Sequence, residues 1–345
     1  MIRPKALKEG DTVAAVSMSW GGPEAVPHRF ERGKKQLEEE FGWNLIAMEH
    51  TLKPDSWLTQ NPEARAADMM NAFKDPSIKG IIATIGGDDS VRLIPHFDYE
   101  VIRQNPKVFL GYSDTTVSHF ACFKAGLTSF YGPSILSGFA ENGGMFPYMV
   151  DSVRKTMVST EAPGVISPNP DGWTVEFLDW NDTSLQDQKR KLNNPSPWRY
   201  LGSKKKVSGK LIGGCADVLE MIKGTEIWPS LEEWEGKILF LETSEDAPSP
   251  TWLRYWLRNY AATGILERLS GILLGRPGGK IDPSTFSQYD DELCRVVLDE
   301  AKCDIPLVTQ MDFGHTDPMF VLPIGAMATI DPIKECFSID EAMVE

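Results

Sequence analysis

The run Val108-Phe109-Leu110-Gly111-Tyr112-Ser113-Asp114-Thr115-Thr116 delivers one serine to a sharp turn between an apolar, strand-like stretch and a helix-like segment. A serine leaving a strand at its carboxyl end can serve as a nucleophile, because the amides of the following helix stabilise negative charge that develops near its hydroxyl. Ser-Asp-Thr-Thr is equally a helix N-cap cluster, and from this window alone capping is the ordinary role. A nucleophilic serine needs a base and a group that orients the base. Of the five histidines, His315 stands in the turn Asp312-Phe313-Gly314-His315-Thr316-Asp317-Pro318, where the preceding glycine frees the backbone to aim an imidazole into a cleft. His28 falls in a charged helix-like segment and His50 follows a strand, while His96 in Ile94-Pro95-His96-Phe97 suits packing or capping. His119 lies one helical turn after Thr115 and Thr116. Glu242 ends the apolar run Ile238-Leu239-Phe240-Leu241 at a sheet's carboxyl edge, with Glu245 and Asp246 near enough to compete for its role. Ser113, Glu242 and His315 would make a hydrolytic triad: His315 takes the Ser113 proton, and Glu242 fixes the tautomer and stabilises the imidazolium.

Acyl transfer also needs donors for a tetrahedral oxyanion. The glycine pair after Ile85 lets backbone approach a substrate without a side-chain clash, so the Gly87 and Asp114 amides are the candidates. The rival reading of Gly86-Gly87-Asp88-Asp89 as a phosphate loop is weak, since two carboxylates stand where phosphate would sit and no Walker lysine follows. Position 115 is threonine, so the Gly-x-Ser-x-Gly elbow of standard α/β hydrolases is missing. There is no His-Glu-x-x-His and no close Cys/His set, and neither a metal nor a cofactor is expected.

The elements that must position these groups alternate through the first half. Thr12 to Ser17, Trp43 to Met48, Ile78 to Ile85, Val108 to Gly111 and Thr128 to Tyr131 read as strands, separated by helical patterns over 24–41, 61–73 and 115–125. Continuous apolar strands between amphipathic helices predict a parallel sheet covered on both faces, with ligands beyond the carboxyl ends of its strands. Residues 167–206 break the pattern with prolines and with Trp173, Trp180 and Trp198. Beyond them, strand patterns over 237–241, 271–274 and 305–309 alternate with helical ones over 250–260 and 291–301. The expected organisation is a flavodoxin- or Rossmann-like α/β domain over 1–166 carrying the nucleophile, an insert over 167–206, and a β-rich α/β domain over 207–345 carrying Glu242 and His315. The active site would lie at the domain interface.

Composition narrows the function. A chain of 345 residues with 41% hydrophobic and 24% charged residues can bury a large core. Forty-nine acidic against 35 basic residues give a net charge of -14, which repels a nucleic acid polymer, and Lys204-Lys205-Lys206 is too short a patch to reverse that. No apolar run approaches the ~20 residues that span a bilayer, and no export signal follows Met1, so the expectation is a cytoplasmic protein without a membrane partner. Five scattered cysteines, Cys122, Cys215, Cys294, Cys303 and Cys336, fit free thiols in a reducing compartment.

Six motifs occur in order: Arg65-Ala66-Ala67-Asp68, Ile85-Gly86-Gly87-Asp88-Asp89-Ser90, Gly111-Tyr112-Ser113-Asp114, Gly209-Lys210-Leu211-Ile212-Gly213-Gly214, Phe240-Leu241-Glu242 and Phe313-Gly314-His315. Together they resemble the LD-carboxypeptidase family of serine peptidases. Asp88-Asp89-Ser90, the tryptophan-bearing insert and Glu242-Thr243-Ser244-Glu245 look more like its microcin C immunity branch than the short murein-recycling enzymes. The resemblance implies a Ser-Glu-His triad at Ser113, Glu242 and His315, no metal, and a homodimer. It implies cleavage of an amide in a peptidyl or aminoacyl nucleotide, with the tetrapeptide stem of murein as the alternative substrate. It also implies an aromatic of the insert stacked on a nucleobase, for which Trp180 is the candidate. Many relatives carry asparagine where this chain has Cys215, which is either a specificity change or a small buried residue. A non-catalytic small-molecule binding protein of two α/β lobes is the distant alternative, since binding alone would not require the three triad residues.

Overall fold

The computed structural model describes residues 1–345. Short apolar runs form its first strands, β1 (Thr12–Val16), β2 (Asn44–Ala47), β3 (Ile78–Ala83), β4 (Val108–Gly111) and β5 (Ser129–Tyr131). They pair in parallel in the order β5-β4-β3-β1-β2. A parallel sheet needs both faces covered, and the connections supply the helices that do it. The Pro27–Phe41 helix begins on proline, whose missing N–H costs nothing there, and stops at Gly42 in the left-handed region at φ 68°. Pro62–Lys74 turns Ala66, Met69, Met70 and Phe73 inward, and Thr116–Lys124 is buried through its first seven residues.

The second half contributes β6 (Gly164–Ile166), β7 (Arg199–Gly202), β8 (Val207–Cys215), β9 (Ile238–Glu242), β10 (Gly271–Gly275), β11 (Pro306–Met311), β12 (Leu322–Ile324), β13 (Met327–Asp331) and β14 (Cys336–Ile339). Eight of them form one sheet in the order β6-β14-β13-β8-β9-β10-β11-β7. Its centre, β8 to β11, is parallel and its flanks are antiparallel. β12 instead pairs antiparallel with β5 and completes the first sheet as its sixth strand. Sheet membership therefore crosses the boundaries read from the sequence. β6 precedes residue 167 yet belongs to the second sheet, β12 follows residue 206 yet belongs to the first, and β7 lies within the insert.

The helix expected over 291–301 starts earlier, at Phe286. Asp282 accepts the Ser284 N–H, and a turn at Pro283–Thr285 leads straight into the helix, which ends as a wider π turn over Arg295–Glu300. No helix is long and apolar enough to cross a membrane.

Candidate active site

The site is built where the carboxyl ends of β4 and β9 meet. Leaving β4, the chain puts Ser113 at φ 60°, a left-handed backbone that a non-glycine residue adopts at a cost of roughly 1–3 kcal/mol. The turn is held from two sides. Tyr131, at the end of β5, accepts the Ser113 N–H at 3.0 Å. The Asp114 carboxylate accepts the Asp89 and Ser90 amides at 3.1 and 2.9 Å, and Ser90 Oγ donates to the Asp114 carbonyl at 2.7 Å. The buried Arg65 anchors the same loop through Asp89 at 2.5 Å and reaches the Met18 carbonyl at 2.8 Å. Asp89 and Ser90 are thus structural, tying the glycine loop to the serine turn. Gly86 is required there: a Cβ on it would stand 2.9 Å from Ser113 Oγ.

His315 approaches from the opposite side. Its Nε2 lies 3.1 Å from Ser113 Oγ, and its Nδ1 lies 2.6 Å from Glu242 Oε2. Gly314, at φ 91°, permits this approach, since a Cβ there would meet Glu242 Oε2 at 2.6 Å. Glu242 is fully buried, and its second oxygen accepts the Tyr131 hydroxyl at 2.5 Å. Burial disfavours a charged imidazole, but the field and hydrogen bond of Glu242 and the hydrogen bond of Glu245 outweigh it and raise His315 to about 10. Glu245 Oε2 sits 2.8 Å from His315 Nε2, the nitrogen that also faces Ser113.

The Gly87 and Asp114 amides are engaged by none of the loop or side-chain hydrogen bonds; Gly87 lines the space in front of Ser113 Oγ, and the Asp114 amide lies beside Ser113 Oγ against Gly86, where a Cβ would stand 3.3 Å from its nitrogen. That space is a cavity of about 600 Å³, large enough for a nucleotide-sized ligand. Trp180 forms part of its wall, with the Arg29 guanidinium 4.3 Å above its ring and Trp20 at 6.5 Å between centroids. Phe177, 64% exposed, stands at 5.9 Å from Trp180.

The remaining histidines lie elsewhere. His28 Nε2 is 2.7 Å from the Trp180 carbonyl, and His50 pairs with Asp68 at 2.9 Å. His96 closes a 3-10 turn. His119 is fully buried between Ser129 Oγ and the Gly111 carbonyl, both at 2.8 Å, and burial lowers it to about 4. It braces the β4–β5 junction beneath Ser113.

Cys215 pairs with Glu242 across β8 and β9 and is fully buried. Ligand-type atoms of Cys215, Glu242 and His315 lie within 4.8 Å of one another. Both Glu242 oxygens are already engaged by Tyr131 and His315, and burial, then Glu242 and Asp217, push the Cys215 thiol well above its usual value. The two carboxylate oxygens of this set therefore serve hydrogen bonding to Tyr131 and His315.

Two features were missed from the sequence. Tyr131 reads as one more core aromatic of a short strand, and nothing in its spacing marks its hydroxyl. The second is an ionic cluster in the cavity wall. Arg190 forks onto both oxygens of the buried Glu141 and reaches Asp317 at 2.8 Å, while Arg29 donates to Asn142 at 2.6 Å. Its members come from four distant segments, so no local pattern could announce it.

Comparison with known proteins agrees with this architecture. The family model of the LD-carboxypeptidase N-terminal domain matches residues 13–132, and that of the LD-carboxypeptidase C-terminal domain matches residues 208–330. The chain is 30% identical to the Microcin C7 self-immunity protein MccF of Escherichia coli, over 97% of this chain and 94% of that one. Among solved structures, an MccF-like protein from Streptococcus pneumoniae in complex with AMP superposes with a TM-score of 0.86 at 32% identity, covering 96% of this chain and 99% of that one. MccF in complex with aspartyl sulfamoyl adenosine gives 0.83 at 30% identity, with all of both chains covered.

Proposed function

This chain belongs to the LD-carboxypeptidase family, and on that premise we propose that it is a serine hydrolase that cleaves the amide of peptidyl or aminoacyl nucleotides through Ser113, Glu242 and His315. The observation that carries this reading is the continuous hydrogen-bonded line from Ser113 Oγ through His315 to Glu242, opening on a cavity of nucleotide size. Likeness to proteins solved with AMP and with aspartyl sulfamoyl adenosine supports the substrate class.

The groups act in order. Neutral His315 accepts the Ser113 proton on Nε2 as Oγ attacks the acyl carbon, and Glu242 stabilises the resulting imidazolium. The oxyanion lies against the Gly87 and Asp114 amides. As the carbon–nitrogen bond breaks, His315 returns the proton to the departing nitrogen. Water then enters, and the same base and donors release the acyl group from Ser113. Trp180, with the exposed Phe177 beside it, is the proposed stacking platform for the base; the Arg29 guanidinium already covers one face of the tryptophan.

The test is to incubate the protein separately with aspartyl sulfamoyl adenosine and with an L,D-linked tetrapeptide, and to follow products by mass spectrometry. The expected result is release of the free amino acid from the first at a higher specific activity. Faster cleavage of the tetrapeptide would replace the substrate assignment, and no cleavage of either would refute hydrolysis.

A further inference from the structure

Glu245 occupies a place that the proton transfer above cannot tolerate. His315 Nε2 has one valence to offer. It either accepts the Ser113 proton or carries a proton and donates it to the Glu245 carboxylate at 2.8 Å. With Glu242 on Nδ1 and Glu245 on Nε2, the ring is a doubly anchored imidazolium and has no lone pair for Ser113. Yet Glu245 is not locked in place. Its side chain is 69% exposed, it stands on the loop between β9 and the Pro250–Ala262 helix, and it faces the cavity.

The charge around it decides what can draw it away. Facing His315 are Glu242 from β9, the Tyr112 ring at 5.0 Å from β4, and the buried thiol of Cys215 from β8. Tyr131 reaches the pair through Glu242 and the Ser113 amide, and Asp317 follows on the same loop as His315. Among the cavity's cations, Arg190 is held by Glu141 and Asp317 and Arg29 by Asn142 and the Leu136 carbonyl, while Lys280 lines the same cavity next to Gly279, yet it is His315 that Glu245 engages. A substrate ammonium entering the cavity would compete with His315 for the Glu245 carboxylate. In an aminoacyl compound the α-ammonium is one carbon from the acyl carbon, which must lie about 3 Å from Ser113 Oγ to react. It would arrive beside Glu245.

We propose that Glu245 is a specificity-determining residue that caps His315 in the unliganded protein and turns onto the α-ammonium of an aminoacyl substrate, so that binding the correct acyl group frees the base. This rests on the hydrolase reading above and narrows its substrate class to acyl groups with a free amine beside the scissile carbonyl. N-acylated residues could fill the cavity but would leave the cap on His315.

Two measurements on the full chain test it. The first needs no substrate: labelling of Ser113 by a neutral fluorophosphonate, followed by intact mass against pH, reports how much His315 is free to act as base. The wild type should label with an alkaline midpoint, and Glu245→Gln should move that midpoint to lower pH by one unit or more. An unmoved midpoint overturns the cap. The second compares aspartyl sulfamoyl adenosine with its N-acetyl form. The wild type should favour the free amine by tenfold or more in kcat/KM, and the ratio should collapse towards one in Glu245→Gln, chiefly through KM for the free amine. A ratio that survives the substitution overturns the ammonium site. If neither nucleotide is cleaved while Ser113 still labels, the substrate reading fails, the ammonium site fails with it, and the labelling midpoint still decides the cap.

Discussion

The Tyr131 hydroxyl donates to Glu242 Oε1 at 2.5 Å while accepting the Ser113 amide at 3.0 Å, so one phenol from β5 links the turn that carries the serine to the carboxylate that orients the histidine. Tyr131→Phe keeps the ring and deletes the link. It leaves a buried carboxylate oxygen and a buried amide without partners, at roughly 1–3 kcal/mol each. The expected outcome is a lower melting temperature together with a fall in kcat of roughly 10- to 100-fold, corresponding to about 1.4–2.7 kcal/mol in the barrier. Calorimetry and steady-state kinetics on the same preparation check both.

Ser113→Ala should remove turnover and spare binding. Loss of a triad nucleophile costs roughly 10⁶-fold in kcat in well-studied serine hydrolases. In the cavity wall the hydroxyl engages only His315, which Glu242 and Glu245 also hold, so calorimetric affinity for a nucleotide product such as AMP should change little. Turnover surviving at more than a small residue would reject Ser113 as the nucleophile, and a wild type that binds the nucleotide but shows no turnover to lose would favour a binding protein.

Gly86→Ala tests the close approach of the glycine loop. Its Cβ would press on Ser113 Oγ and Cβ at 2.9 Å, and the loop is pinned through Asp89 and Ser90, so the serine rotamer must give. Kinetics should show a loss mainly in kcat of about 10²-fold, the scale of an ångström's misplacement.

Arg190→Leu addresses the cavity wall. Glu141 is almost fully buried and would lose the two-pronged partner that balances its charge. Stripping one member from a buried pair costs roughly 3–5 kcal/mol. Denaturant unfolding should show that loss, partly recovered when Glu141→Gln is added.

The pH dependence of stability follows from the His315 contacts. Its folded value, about 10, lies above the ordinary 6.5, so the stabilisation is fully present below pH 6.5 and is lost as the pH rises through 10. Glu245 is held down to about 2 by its hydrogen bond to His315, and its share is present above 4.5 and lost as the pH falls through 2. The contact is therefore complete between pH 4.5 and 6.5. Melting temperatures measured from pH 6 to 10 should fall less steeply in Glu245→Gln than in the wild type.

The strands that present Ser113 and Glu242 were legible because each is a short apolar run: β4 leads to Ser113 two residues past its end, and β9 ends on Glu242 itself. Gly314-His315 was legible for the same local reason, a flexible residue beside a chemical one. Burial and long-range pairing were not. β12 contains Pro323, which argues against a strand, yet it pairs with β5 at the sheet edge, where a missing N–H is tolerated. Glu245 was visible as a competitor of Glu242, but only the folded loop shows that it engages the opposite nitrogen of the ring. Asp88-Asp89-Ser90 supported the resemblance, while the work of Asp89 and Ser90 as ties to the serine turn becomes apparent only when Arg65 and Asp114 are in place.

β12 begins seven residues beyond His315 and is laced by main-chain hydrogen bonds to β5, whose last residue is Tyr131. The stretch that carries His315 is thereby stitched to the sheet that carries Ser113. The two halves of this protein cannot swing apart like jaws without tearing a strand from its neighbour. The cavity's outer coverings, the segment bearing Phe177 and Trp180 and the loop bearing Glu245, lie outside that stitched frame, which keeps Ser113 and His315 together.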